Sequence, residues 1–453
     1  MTPSRLPAND TPVNSITTPQ MPLAALRIPA SASGVPRIFV YLTFASLFCY
    51  ISRLQELLPQ LHTNYIFIFL LIPGFIYPGR LSIAFSSRVA KLRIAFFIWM
   101  TFTIPFSAWR GGAILEVANS LKVAPIIIAL YAFLETRRDF TAAMRTIALA
   151  VSFSAGTALL TGDAVMGRAI MSRDSGTLND PNYLCLYILA GMPALYTWYR
   201  SASFAGKVLS AVLSIMILSV AVKTQSRGGA IAFVIAVIFL LIKLPMKGRL
   251  LLVLGIGIAS LFGALYVPTS TWSRLNSIFG ASNSLTSDDS LATEAATDSA
   301  ASRKRLLTQS LILTYRHPFL GVGAGSFQTA EASLAAETGR RGMWHATHNT
   351  YTQVSAELGL PALALYLAAL LSCWSILRKI RANPPRSAEA DFRGTALCLQ
   401  TGLVLFAISA GSLTFSYVSI QDVFFALTVV LERASHLTFD GRSPSEQYVR
   451  VRA

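Results

Sequence analysis

The chain has 453 residues, of which 53% are hydrophobic and only 13% are charged, and its mean hydropathy is +0.55. Soluble proteins carry about 25% charged residues, so this composition excludes a cytosolic enzyme or a disordered protein. Its 38 Lys and Arg residues outnumber its 21 Asp and Glu residues. In a soluble domain this excess would indicate nucleic-acid binding, but in a membrane protein it is typical of cytoplasmic loops. We therefore expect an all-α integral membrane protein with no nucleic-acid partner.

Apolar segments of roughly bilayer-spanning length recur along the chain. Residues 1–35, rich in Pro, Thr, Ser and Ala, are expected to form a disordered cytoplasmic tail. About 12 transmembrane spans follow, near residues 37–52, 65–80, 93–109, 121–135, 142–161, 181–199, 206–222, 228–243, 249–267, 358–377, 395–415 and 420–434. They predict transmembrane helices 1–9 over 36–267, a loop over 268–350, helices 10–12 over 351–434 and a cytoplasmic tail over 435–453.

The distribution of basic residues predicts the orientation of these spans, because short cytoplasmic loops are enriched in Lys and Arg. With the N-terminus inside, the short inside loops contain 17 basic residues: Arg80, Arg88, Lys91, Arg93, Arg137, Arg138, Arg145, Arg200, Lys207, Lys243, Lys247, Arg249, Arg378, Lys379, Arg381, Arg386 and Arg393. The short outside loops contain 7: Arg53, Arg110, Lys122, Arg168, Arg173, Lys223 and Arg227. We therefore expect both termini in the cytoplasm and the 268–350 loop outside.

Two of the outside basic residues lie together in a very short connection, AVKTQSRGGAIAF. The enrichment of basic residues in cytoplasmic loops does not explain Lys223 and Arg227, because this connection is an outside loop. The two glycines of SRGG let another group approach closely. A helix start also favours anions. We interpret this connection as a candidate anion-binding feature, with a snorkelling membrane anchor as the alternative.

The long outside loop has a polar, low-complexity part followed by a part with apolar residues at helical spacing. Residues 281–302 are polar and of low complexity, and are expected to form a flexible insertion without chemistry. From Arg303, the stretch RKRLLTQSLILTYRHP has apolar residues at helical spacing and stops before Pro318. The glycine-rich stretch 321–325 follows a helix and lacks the spacing of a dinucleotide fingerprint. We interpret it as a tight turn.

The densest polar stretch of the chain is GRRGMWHATHNTYTQVSAELGLP, which contains His345 and His348. Their spacing could place both on one helical face, which permits metal binding, but the sequence offers no strong third ligand. We expect no metal and no cofactor. A neutral histidine that accepts a proton from a hydroxyl is the better functional interpretation, and a surface histidine without a function is the alternative.

Taken in order, these motifs resemble a known family. SRGG, the stretch from Arg303 through HPFLGVGAGSF, and HNTYTQVSAELGLPAL resemble the O-antigen ligase and O-antigen polymerase superfamily, and GTLNDPNYLCLY at 176–187 also looks similar. These proteins are bacterial inner-membrane glycosyltransferases. The resemblance implies a GT-C-like fold with a large helical periplasmic loop between helices 9 and 10.

The resemblance also implies a reaction: metal-independent, inverting transfer of a glycan from undecaprenyl pyrophosphate to an acceptor hydroxyl on the periplasmic face. Carried over by motif, the catalytic residues would be Arg227, Arg303 and His348. Arginine suits a pyrophosphate leaving group because it stays charged and binds phosphate oxygens in a forked geometry. Arg305 and His345 are the alternatives to Arg303 and His348. The substrate-binding candidates are Lys223, Arg305, His345, Asn349 and Tyr351.

The acceptor is left open by the sequence. An O-antigen ligase would use lipid A-core in lipopolysaccharide biosynthesis, and this is our first expectation. An O-antigen or exopolysaccharide polymerase would use a second carrier-linked saccharide, and a protein O-oligosaccharyltransferase would use Ser or Thr. A polytopic transporter or flippase is the alternative from another class, because 12 spans with both termini inside is also a transporter layout. The clustering of polar residues at one outer face favours surface chemistry.

The orientation is testable by labelling single cysteines from outside the cell. Ser284→Cys lies in the expected periplasmic loop and Ser387→Cys in an expected cytoplasmic loop. Because an impermeant reagent reaches only the outside, it should label the first variant and not the second. Labelling of Ser387→Cys alone would contradict the orientation.

Overall fold

The computed structural model describes residues 36–173, 176, 178–266, 287–417 and 420–439. The tail 1–35, Ser284 and residues 440–453 lie outside this description. The described residues form α1 Arg37–Ile51, α2 Leu54–Leu57, α3 Thr63–Phe75, α4 Arg80–Ala84, α5 Arg88–Phe102, α6 Arg110–Phe133, α7 Arg137–Thr161, α8 Pro181–Ala190, α9 Met192–Ser201, α10 Phe204–Lys223, α11 Arg227–Lys243, α12 Met246–Tyr266, α13 Ser287–Arg316, α14 Phe327–Glu337, α15 Thr350–Ala382, α16 Glu389–Ala410 and α17 Ile420–Phe439. A short antiparallel hairpin, β1 Ala164–Val165 and β2 Arg168–Ala169, follows α7.

Each predicted span overlaps one or more helices, and the chain is mostly helical, as an all-α membrane protein requires. Within the part of the chain that the structure describes, five segments are long and apolar enough to cross a membrane: Arg110–Phe133, Arg137–Thr161, Phe204–Lys223, Thr350–Ala382 and Arg386–Ala410. The predicted span 181–199 is divided at Gly191 into α8 and α9, each of 10 residues and therefore about 15 Å long. The number of 12 spans stays a prediction.

Two segments differ from the sequence-based expectations. The insertion at 281–302 is helical from Ser287 onward, because its alanines favour helix and its acidic residues lie near the helix start. The predicted span 395–415 ends earlier, since α16 stops at Ala410. Residues 411–417 instead form a turn, here called the 411–417 turn.

One end of the bundle is held by ion pairs. Arg37 Nη1 lies 2.9 Å from Asp139 Oδ1, and Arg137 pairs with Asp391. These contacts join the starts of α1, α7 and α16. The polar motifs lie at the opposite end, where α7, α10 and α16 finish and where α8, α11 and α15 begin.

Helix α15 is broken at Gly359, which has φ 80° and ψ 176° and precedes Pro361. A break leaves backbone groups without helical partners, and buried groups of this kind must be satisfied elsewhere. Other elements supply four bonds: Val322 N–H to Ala356 O at 2.9 Å, Gly323 N–H to Glu357 O at 2.7 Å, Trp99 Nε1–H to Leu358 O at 2.8 Å, and Leu360 N–H to Pro318 O at 2.7 Å. The break is therefore an anchoring point for α5 and for the loop between α13 and α14.

The glycine-rich stretch at 321–325 is a tight turn, as the sequence predicts. Gly321, Gly323 and Gly325 all have positive φ, at 65°, 99° and 63°. A Cβ atom on Gly321 would collide with the backbone of Glu357. The glycines therefore let the turn lie directly against the broken part of α15, so the second and third sequence motifs are bonded to each other.

Replacing Gly359 with alanine is expected to destabilise the protein. Its backbone conformation is essentially restricted to glycine, and such strain costs roughly 1–3 kcal/mol. A Cβ atom would also collide with the carbonyl oxygen of Phe319. Thermal unfolding in detergent, followed by fluorescence, should show a lower Tm for Gly359→Ala.

Gly156→Ala is the matched control. Gly156 lies in α7 and a Cβ atom there meets nothing within 4 Å. Alanine favours helix over glycine, so this variant should melt at or above the wild-type temperature. Equal melting temperatures for Gly359→Ala and the wild type would contradict the role given to the break.

Candidate active site

The SRGG motif forms the start of α11. Ser226 is the N-cap and its Oγ accepts a hydrogen bond from Gly229 N at 3.2 Å, so Arg227 is the first helical residue. A Cβ atom on Gly229 would collide with Cys185 of α8, and one on Gly228 would lie 2.6 Å from Ser412 Oγ. The two glycines therefore let the start of α11 pack tightly between α8 and the 411–417 turn.

The NDPNY stretch forms the start of α8 and is bonded to the SRGG motif. Asp180 is the N-cap, and its Oδ1 accepts from Asn182 N at 2.6 Å and Tyr183 N at 3.2 Å. Asn182 Oδ1 accepts from Ser226 Oγ at 2.9 Å and from Arg168 Nη2 at 2.7 Å. One amide oxygen thus joins the starts of α8 and α11.

Arg303 reaches the same place from α13. Its guanidinium is partly buried, and burial together with the charge of Arg227 lowers its pKa, whereas Asp180 opposes this shift. The Coulomb energy between two charges falls as their separation grows, so an effect of one charge on the pKa of another indicates that they lie near each other. Arg227, Arg303 and Asp180 therefore share one site, although they are far apart in sequence.

Arg305 has a different environment from Arg303. Its Nη2 donates to the carbonyl oxygen of Arg341 at 2.9 Å and lies 3.8 Å from Oε1 of the buried Glu331. Glu331 Oε2 also accepts from Met343 N at 2.7 Å. Arg305 thus stabilises the loop before α15. Of the two candidate arginines, Arg303 is the one that lies near His348.

His348 lies in the loop just before α15, not on a helix, so the idea that His345 and His348 share a helical face was wrong. Its φ is 52°, in the left-handed region. Burial and the charges of Arg303 and His345 lower its pKa below the ordinary value, and Asp180 opposes this. Its Nδ1 is buried and has no hydrogen-bond partner among the described residues.

The remaining candidates fall into two groups. Lys223, at the end of α10, and His345 are exposed. Asn349 is the N-cap of α15, since its Oδ1 accepts from Tyr351 N and Thr352 N while its Nδ2 donates to Gly411 O. The Tyr351 hydroxyl donates to Ala407 O at 2.8 Å. Asn349 and Tyr351 therefore hold the start of α15 in place.

The 411–417 turn is a part of the site that the sequence analysis missed, because it was assigned to a membrane span. Nearly every residue of the turn bonds to residues 348–357. Gly411 O accepts from Asn349 Nδ2, Leu413 O accepts from Thr350 Oγ1, and Phe415 N donates to Thr350 Oγ1. Thr414 Oγ1 accepts from His348 N, Ser416 Oγ donates to Gln353 Oε1, and Tyr417 Oη donates to Glu357 Oε2. This turn is the support on which the HNTY motif rests.

Asp180 is the second feature that sequence reasoning did not assign to the site. The signal for it was present, since Asp followed by Pro is typical of a helix N-cap and first turn. Asp180 also lines an open cleft of about 430 Å³ together with Arg168, Arg173 and the β1–β2 hairpin. Asp180 therefore borders a space of the size that holds small ligands.

Chemically, the cluster combines two arginines with a histidine whose lowered pKa favours the neutral form at neutral pH. Arginines are suited to an anionic leaving group, and a neutral imidazole is suited to accepting a proton. Within the described ranges, no three His, Cys, Asp or Glu side chains are grouped to hold a metal ion.

Comparison with known proteins agrees with the motifs. Residues 209–367 match the family model of the O-antigen ligase domain, Wzy_C, which is about a third of the chain. A search of curated proteins gives no match. The matched residues run from α10 into α15 and include Arg227, Arg303 and His348. Over residues 209–367 this match supports a relation to the O-antigen ligase and polymerase superfamily.

Proposed function

We propose that this protein is an inner-membrane glycosyltransferase that moves a glycan from undecaprenyl pyrophosphate to an acceptor hydroxyl on the periplasmic face. The observation that carries the proposal is the convergence of Arg227, Arg303 and His348, from three motifs, at one end of the helical bundle. O-antigen ligation, with lipid A-core as the acceptor, is the reaction that we place first. Membrane lipids surround the donor and hold its polyprenyl chain.

In the proposed reaction, His348 removes the proton from the acceptor hydroxyl as the oxygen attacks the anomeric carbon. A new glycosidic C–O bond forms, and the bond between that carbon and the pyrophosphate oxygen breaks with its electron pair. Undecaprenyl pyrophosphate leaves as the anion, and the proton stays on His348. A single displacement of this kind inverts the anomeric configuration.

The two arginines are proposed to hold the pyrophosphate. The leaving oxygen gains negative charge as its bond to carbon breaks, and preorganised cations stabilise that charge. Burial and then the positive charge of Arg303 lower the pKa of His348, which favours the neutral base. Asp180 offsets part of the repulsion between Arg227 and Arg303. The cleft beside Asp180 offers room for a sugar unit next to the cluster.

Purified protein in a transfer assay is the direct test. The donor is an undecaprenyl-pyrophosphate-linked glycan, and the acceptors are offered separately: lipid A-core, a second carrier-linked saccharide, and a Ser- or Thr-containing protein. Transfer to lipid A-core identifies a ligase, and transfer to one of the others identifies a polymerase or a protein oligosaccharyltransferase. Carriage of the donor across vesicle membranes without transfer would favour the transporter alternative.

Replacing His348 with alanine should lower turnover by at least about a hundredfold, the low end for a positioned base. Donor binding should change little, because the arginines remain. The measurements are kcat for transfer and the donor Kd, on protein that remains monodisperse in detergent. His345→Ala is the control, since that neighbouring histidine is exposed. A folded His348→Ala protein with near-normal turnover would move the base assignment to His345.

Replacing Arg303 with lysine should weaken donor binding and slow turnover together. Lysine keeps the charge but loses the forked geometry that binds two phosphate oxygens. Lys304→Ala is the matched control, because Lys304 is the exposed neighbour on the same helix. Both variants are compared by kcat and by the donor Kd. Near wild-type binding and turnover in Arg303→Lys, together with a loss in Lys304→Ala, would show that general positive charge, and not the forked geometry at Arg303, matters.

A further inference from the structure

The backbone at His348 is held in an unfavourable conformation. A φ of 52° is uncommon for a residue with a side chain, and such strain persists only where the surroundings impose it. The residues on either side are also fixed: Thr347 Oγ1 donates to Asn349 O at 3.0 Å, and Asn349 caps α15. Among the described residues, the His348 peptide is held by the bond from its N–H to Thr414 Oγ1 at 3.0 Å.

Thr414 is also held by a hydrogen bond from α8. Its carbonyl oxygen accepts a hydrogen bond from the Tyr183 hydroxyl at 2.6 Å, so the NDPNY stretch holds the same residue that holds His348. The ring of Tyr183 also packs edge-on against Phe415, with the centroids 5.0 Å apart. The Thr414 hydroxyl is thus presented by a rigid turn bonded to α8 and to α15.

We infer that Thr414 is a positioning residue for the transfer reaction, whose hydroxyl holds His348 in the left-handed conformation that aims its imidazole into the cluster of Arg303 and Asp180. This inference rests on the proposed function, in which His348 is the base. The role inferred for Thr414 acts through the His348 backbone.

The test uses substitutions that separate the hydroxyl from the shape of the side chain. Thr414→Val keeps the shape and removes the acceptor, and Thr414→Ala removes both, whereas Thr414→Ser keeps the acceptor. Thr401→Val is the matched control, because Thr401 is a buried threonine of α16 whose hydroxyl bonds only to Leu397 O in its own helix, at 2.9 Å. All four proteins are compared with the wild type after confirming a monodisperse, folded state.

Thr414→Val and Thr414→Ala should lower kcat by roughly ten- to a hundredfold, because small displacements of a reacting group have effects of this size. The donor KM should stay unchanged, since Arg227 and Arg303 are untouched. Thr414→Ser and Thr401→Val should keep near wild-type kcat. Wild-type kcat in folded Thr414→Val, or equal losses in Thr414→Val and Thr414→Ser, would overturn the inference.

The pH profile of kcat gives a readout that a purely structural role would not move. The neutral form of His348 is active, so kcat falls as the pH drops through its pKa. Burial and the positive charges of Arg303 and His345 lower that pKa, and Asp180 opposes them. If the ring leaves this environment in Thr414→Val, its pKa rises toward the ordinary value, and the fall in kcat should move to higher pH. An unshifted profile would contradict the inference.

Hydrogen–deuterium exchange tests the bond without any activity. The amide of His348 should exchange slowly in the wild type and in Thr414→Ser, and faster in Thr414→Val. This measurement separates the two proposals: a wild-type protein that fails to transfer glycan contradicts the proposed function, and fast exchange of the His348 amide in the wild type contradicts the positioning bond.

Discussion

The break in α15 at Gly359 anchors the end of the bundle that carries the polar motifs, because hydrogen bonds from several other segments meet there. A helix buried among other helices cannot leave its carbonyl groups unpaired. The partners of the broken turn come from the Val322–Gly323 peptide segment and from Trp99. Because α13 leads directly into that glycine-rich segment, the break fixes the helix that carries Arg303 relative to the one that follows His348.

The 411–417 turn completes the arrangement from the other side. It follows α16 and bonds to the first turns of α15, and it lies against Gly228 at the start of α11. The starts of α8 and α11 are joined in turn through Asn182. The site is therefore assembled from helix ends, each held by hydrogen bonds to a neighbour, while the apolar bodies of the helices supply the packing. Side chains on such rigid elements keep a fixed geometry, which catalysis by positioned charges requires.

The assembly of helix ends also brings positively charged groups close together. Three groups that carry or accept positive charge, Arg227, Arg303 and His348, are brought together with the carboxylate of Asp180. Like charges held together are unfavourable in the absence of an anion. The protein sustains the arrangement because the helices that bear these groups are anchored elsewhere.

Hydropathy, glycine spacing and residue chemistry are local properties, so the sequence alone predicts the helical membrane class, the tight glycine turn and the motifs that carry Arg227, Arg303 and His348. The fold shows that Arg303 lies with His348, whereas Arg305 contacts Glu331 and Arg341. It alone showed Thr414 and Asp180 beside the site, because both serve locally as turn and cap residues. Their relation to His348 arises from contacts between segments 66 and 168 residues apart, and such contacts leave no periodic signal in a single chain.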